Sequence, residues 1–369
     1  MRRGRLAALV WLTAALAAGC STATAPITSC EPAAGITPDC RFQNPEDLVA
    51  SPSGAFLVVS QFGDMEGGRA GSLVTYDPAT GNTRPLFPAA TLTADVDGPR
   101  WGDAACPPPP LDTFAPHGID IERLDSGAHA LYVVNHGGRE SVEMFEVADD
   151  GVVLTLRWRG CVLAPEQGFF NDLVVLRDGG FWVSQMFPRD ANMIWTLLRM
   201  RVLGHTPGFA YHWQRGRGFQ ELPGTRVAFA NGIEKSADER LVFLNSYFGD
   251  SVIRVDTATG EETGRAPVSS PDNVSWSPTG ELLVASHHGS LTDTLACQSL
   301  AEGSCGFRFQ IIAIDPDTMA QRLLLEHEGP PMGAATVALP LGDQVYLGTF
   351  AGDRIARFSS ALLARPEAP

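Results

Sequence analysis

Five polar pairs stand at the head of short apolar runs: Glu46-Asp47, His117-Gly118, Asn171-Asp172, Asn231-Gly232 and Asp272-Asn273. A carboxylate or amide at the start of a buried strand needs a partner, because burial strips it of water. Brought together, the pairs would make an oxygen cage. Carboxylate and amide oxygens are hard ligands, which suit Ca²⁺ with its roughly six to eight oxygens better than zinc. Glu46, Asn171, Asn231, Asp272 and Asn273 would supply five. Crowded carboxylates raise one another's pKa unless a cation neutralises them. The three asparagines keep the ligand charge low, which leaves an ion Lewis-acidic towards a carbonyl. His117 adds an imidazole able to accept a proton near neutral pH. The same dipeptides are also turn formers, and that reading accounts for any one pair taken singly.

Elements that could bring the pairs together recur along the chain. "EDLVASPSGAFLVVSQ", "HGIDIERLDSGAHALYVVNH", "NDLVVLRDGGFWVSQ", "NGIEKSADERLVFLNS", "DNVSWSPTGELLVASHH" and "AATVALPLGDQVYLGT" each read as strand, polar turn, strand, a hairpin signature. Third strands follow several of them, as in "GSLVTYDPATG" and "DSVIRVDTATG", and weaker fourth strands in "VVLTLRW" and "AQRLLLEH". Antiparallel four-strand units repeated at roughly 40 to 70 residues predict an all-β, six-bladed β-propeller. A β-sandwich with long loops is the alternative. In a propeller the innermost strands line one channel, so the polar pairs meet at one end; the sixth repeat offers only Ala334-Ala335. Longer spacings hold insertions. "TADVDGPRWGDAACPPPPLDTFAP" carries four consecutive prolines that exclude strand and helix, and "ANMIWTLLRMRVL" reads as a short helix or a strand pair.

The chain has 369 residues, 44% of them hydrophobic, with a net charge of -15. A filled core follows, and a nucleic-acid partner is disfavoured. Lys235 is the only lysine, which limits Schiff-base chemistry to one candidate. No GxSxG, HExxH or phosphate-binding glycine loop occurs. Residues 1–19 read as an export signal: Arg2, Arg3 and Arg5 precede an apolar stretch too short for a membrane span, ending in "LAAGC". That ending predicts a bacterial lipoprotein with Cys20 lipidated, although Ala17 replaces the usual leucine; ordinary secretory cleavage is the alternative. Ser21 after the cysteine points to the outer membrane, the lipid anchor being the only membrane contact. Residues 20–40 then read as a tether, 41–359 as the propeller and 360–369 as a tail. Six further cysteines in an exported chain suggest disulfides. Cys30–Cys40 and Cys297–Cys305 are close enough to be local staples, leaving Cys106–Cys161.

The motifs "APHGIDI", "VVNHGG", "FNDLVVL", "FANGIEKS", "PDNVSWSPTGELLVASHH" and "AATVALPLGDQVYLGTF" resemble the paraoxonase/arylesterase family, within the superfamily of gluconolactonases and senescence marker proteins. The resemblance runs from about Pro45 to Phe358. It implies a propeller with two calcium ions that hydrolyses lactones and aryl esters. Glu46, Asn171, Asn231, Asp272 and Asn273 would hold the catalytic ion. Asp47, Asp172 and the carbonyl of Ile119 would hold a deeper structural ion. His117 would be the general base, His136 its proton relay, and His287 a pocket-lining residue. Ser184-Gln185-Met186 departs from a polar run of the family, which leaves the substrate range open. Phe62, Trp182, Phe187 and Trp195 suggest a pocket for an apolar acyl or aryl group rather than a sugar. A calcium-stabilised binding module without turnover and a sugar lactonase are the competing readings.

Overall fold

The computed structural model describes residues 23–63, 69–88, 100–297, 300 and 302–364. The export signal and Cys20 lie outside them. Six sheets, each built on four antiparallel strands, follow one another around an axis, as the hairpin repeats predict. Their innermost strands are Pro45–Ala50, Pro116–Arg123, Phe170–Val175, Ala230–Lys235, Pro271–Trp276 and Ala335–Leu341. Each repeat predicted as a hairpin is the inner pair of one sheet.

The core is divided among the interfaces between neighbouring sheets. Val58 and Leu73 of the first blade pack on Leu131, Val133 and Phe145 of the second. Leu244 and Ile253 of the fourth pack on Val174 and Trp182 of the third. Alternation along each strand sends apolar side chains to both sheet faces, so every blade is held by two partners.

Closure uses the N-terminal segment. Thr37–Asp39 pairs antiparallel with Ile355–Ser359 and completes the last sheet. The expected tether over 20–40 is therefore corrected at its C-terminal end: Ile36 is buried and Ile27 bridges Ser304. The segment reads as polar tether because its few apolar residues show no strand period. It is pinned by Cys30–Cys40, and the expected pairs Cys106–Cys161 and Cys297–Cys305 also form. Arg354, fully buried, donates to the carbonyls of Ser29 and Pro331 and ties this segment to the last blade.

The insertions resolve two open points. Met193–Leu203 is a helix, capped by the Asn192 side chain and ended by Gly204 in the left-handed region. In the proline-rich insertion, Trp101–Gly102 adds a short strand parallel to Gly160–Cys161, contrary to the expectation that no strand forms there. It lies upstream of the proline run, where backbone N–H groups remain available.

Candidate functional site

All six inner strands carry a register shift at their start: Pro45/Asp47, Pro116/Ile119, Phe170/Leu173, Ala230/Ile233, Pro271/Val274 and, in the sixth, which has no polar pair, Ala335/Ala338. A β-bulge releases residues from the ladder and re-aims their side chains. Glycine then lets the strands approach. A Cβ on Gly118 would stand 2.5 Å from the Asp172 Cα, and one on Gly232 would stand 2.5 Å from the Asp272 carbonyl oxygen. The turn-former alternative fails for these pairs: they sit in irregular, bulged register at the heads of the inner strands.

The cluster contains what the ion reading requires. Glu46, Asn171, Asn231, Asp272 and Asn273 are all buried. Asn273 Nδ2 donates to Glu46 Oε1 at 2.9 Å, and the Asn171 amide nitrogen lies 3.6 Å from Met186 Sδ. That leaves Glu46 Oε2 and the Oδ1 atoms of Asn171, Asn231 and Asn273 with no hydrogen-bond partner. Four acceptor oxygens orphaned in one place are costly, since each forfeits its water. Burial, then the charge of Glu46, pushes the Asp272 carboxyl well above the carboxylate range. The orphaned oxygens fit a calcium ion: hard acceptors in a buried cluster that is electrostatically in need of a cation.

The deeper trio is arranged differently. Asp47 accepts the N–H of Leu48 and of Ile119, each at 2.8 Å. Asp172 accepts those of Leu173 and Ile233 at 2.8 and 2.9 Å. Asp120 repeats the pattern, accepting from Val175 at 2.7 Å. Each carboxylate stitches its blade to the next, and Asp172 accepts backbone N–H groups of its own and the following blade. Burial, and after it nearby carboxylates, still pushes Asp47 and Asp172 well up.

The two predicted histidines meet. His117 Nδ1 and His136 Nε2 are 2.9 Å apart, and His117 Nε2 faces Glu46 Oε2 at 3.6 Å. Phe62 stacks on the His117 ring at 4.8 Å and meets His136 edge-on at 6.0 Å. The chain continues to residues missed in the sequence: His136 Nδ1 lies 2.8 Å from Glu140 Oε2, which also pairs with Arg189. Burial pushes the His136 pKa down, against the raising effect of Glu140. Glu140 follows His136 by four residues, but a spacing of four in a loop carries no signal that the two side chains meet.

His287 is buried beside the cage. Its Nε2 lies 2.9 Å from the Ala335 carbonyl oxygen and 3.4 Å from Asp272 Oδ2, and its Nδ1 lies 3.1 Å from the Tyr247 hydroxyl. Burial pushes its pKa down to about 4, so it stays neutral. Of the four aromatic residues expected to line the pocket, Phe62 and Phe187 lie by the histidine pair, Phe62 directly and Phe187 through Phe169. Phe187 packs on Phe169, whose ring meets His136. Trp182 does not: it is buried between sheets against His212 at 4.1 Å, because its strand parity points it away from the channel. Trp195 lies on the exposed face of the helix.

Solved structures with this architecture are remote in sequence. A luciferin-regenerating enzyme superposes with a TM-score of 0.52 at 16% identity, over 88% of this chain and 95% of that one. A gluconolactonase of Xanthomonas campestris gives 0.50 at 16% identity, over 92% and 95%. These likenesses establish the fold. No curated protein matches the chain. The family model of the arylesterases matches residues 106–354, more than half of the sequence, and includes the histidine pair and four of the five cage residues. The chain belongs to the arylesterase family.

Proposed function

We propose that this chain is a calcium-dependent carboxylic ester hydrolase acting on lactones, with aryl esters as a second class. The observation that carries the reading is the group of orphaned oxygens on Glu46, Asn171, Asn231 and Asn273, with His117 Nε2 facing it. Family membership supports the lactonase or esterase chemistry. Glu46, Asn171, Asn231, Asp272 and Asn273 would hold the ion. A second ion at Asp47, Asp172 and the Ile119 carbonyl has only the family resemblance behind it. Bound in the cage, calcium would supply the positive charge that polarises the ester carbonyl.

The chain's own residues do the rest. His117 Nε2 takes a proton from water as the water oxygen bonds to the carbonyl carbon. His117 returns that proton to the departing alkoxide oxygen, and a lactone opens to a hydroxy acid. His136 accepts the hydrogen bond from His117 Nδ1–H and spreads the developing charge. Phe62 keeps the His117 ring from turning. Phe62 and Phe187 make an apolar wall that favours an acyl or aryl group over a sugar.

The test is hydrolysis by the purified chain of short- and long-acyl lactones and of phenyl acetate, before and after chelation. Turnover that disappears with EDTA and returns with Ca²⁺ is expected. A protein that melts higher with calcium yet turns nothing over would be a binding module. The three disulfides support export. Among the described residues no helix is long and apolar enough to cross a membrane. We further propose anchoring to the outer membrane through a lipid on Cys20. Cys20→Ala should move the protein from the membrane to the soluble fraction.

A further inference from the structure

We infer that Glu140 is a positioning residue of the histidine chain: by accepting from His136 it decides which nitrogen of His117 is left bare. The inference rests on the reading of His117 as base.

Glu140 collects three donors from three segments. His136 follows the second strand of its blade, His129–Asn135, and its Nδ1 lies 2.8 Å from Oε2. Phe170, first residue of the next inner strand, donates its N–H to Oε1 at 2.7 Å. Arg189, from the loop before the helix, donates to Oε2. An ionised carboxylate has no hydrogen of its own and accepts from all three. The consequences run in one direction. His136 must carry its hydrogen on Nδ1. Its Nε2 is then a lone pair, which accepts from His117 Nδ1–H across 2.9 Å. His117 Nε2 is therefore the bare nitrogen, and it is the one that faces the cage. During the reaction Glu140 exchanges no atoms. Its charge favours the imidazolium formed when His117 takes the proton from water.

Glutamine cannot replace it, although it has the same shape. Its single carbonyl oxygen serves one side of the three-donor site, and its NH₂ must face a donor on the other. Turned towards His136, the NH₂ donates to Nδ1 and moves the hydrogen to Nε2. His117 then accepts on Nδ1 and carries its hydrogen on Nε2, where it can no longer act as base. A purely structural role for Glu140 predicts no such reversal.

The test uses the purified chain with calcium and ¹⁵N-labelled histidine. In the wild-type protein the ¹⁵N spectrum should show His136 protonated on Nδ1; protonation on Nε2 would overturn the inference without any variant. Glu140→Gln should lower kcat by about 100-fold or more, within the range of general-base effects, with KM and melting temperature close to wild type. Its spectrum should show His136 reversed. His117→Gln separates the two readings. If it is inactive while Glu140→Gln keeps wild-type kcat, the inference fails and His117 remains the base. If His117→Gln is fully active, both fail. A kcat loss matched by a fall in melting temperature, with the tautomer unchanged, also sinks the inference.

Discussion

The four orphaned oxygens carry most of the functional argument, since burial without a partner is rarely tolerated. Of the cage groups Glu46 matters most. It keeps one oxygen for Asn273 and one without a partner, and it faces His117. Glu46→Gln removes one negative charge from the cage and should weaken calcium binding about tenfold or more, since charge count sets affinity in such sites. Isothermal titration calorimetry checks this; unchanged affinity would mean that the ion, if bound, sits elsewhere. At this scale much of the site was legible. Oxygen-bearing pairs ahead of apolar runs are rare enough in register to stand out, and His117 and all five cage residues are buried at the heads of the inner strands. Glu140 and Arg189 were not legible, because their contact depends on how two loops fold over the channel mouth.

The inner strands do the positioning, through a bulge and a close approach repeated around the axis. Gly232→Ala would force a Cβ to within 2.5 Å of the Asp272 carbonyl oxygen. Such overpacking costs about 1–3 kcal/mol, and here it should lower both stability and calcium affinity, measured by melting with and without the ion. Two residues beyond Gly118 and Gly232, burial pushes Asp120 up to about 6, and burial with the Asp120 charge pushes Glu234 up to about 8. Both values lie above the ordinary carboxyl range near about 4. The folded chain thus holds protons that the unfolded chain releases. That stability is complete below about pH 4 and is lost as pH rises through about 6 and about 8. Relative to wild type, Asp120→Asn with Glu234→Gln should therefore melt with a flatter decline between about pH 5 and 8. A parallel decline would show that the pair does not hold protons in the fold.

At the scale of the whole molecule, closure decides whether six sheets behave as one body. Only three residues of the N-terminal segment enter the last sheet, so the pairing depends on the staple beside it. Removing Cys30–Cys40 by Cys30→Ser with Cys40→Ser should cost about 2–4 kcal/mol, as native disulfides typically contribute. Limited proteolysis should then cut first in the N-terminal segment. Equal midpoints in urea for the variant and the parent would show that Arg354 and the strand hold the seam without the bridge.

The sequence by itself determined the architecture: period-two strands and polar turns recurring through the chain leave few ways other than a propeller to bury every sheet face. It also brought the oxygen-bearing pairs and His117 to one end of the channel, because equivalent positions of a circular repeat must converge; His136 came from the family resemblance alone. It predicted the disulfides, since two of the three pairs lie close along the chain. Tertiary structure alone decided what each carboxylate serves. Asp47, Asp120 and Asp172 hold the next blade's backbone, a partner with no sequence signature because any residue can supply an N–H. It alone decided that Trp182 is core and Phe62 lies on the site, which turns on strand parity and on the packing of an insertion. Contacts between loops distant in sequence are made by the folded surface, and no local pattern of residues encodes them.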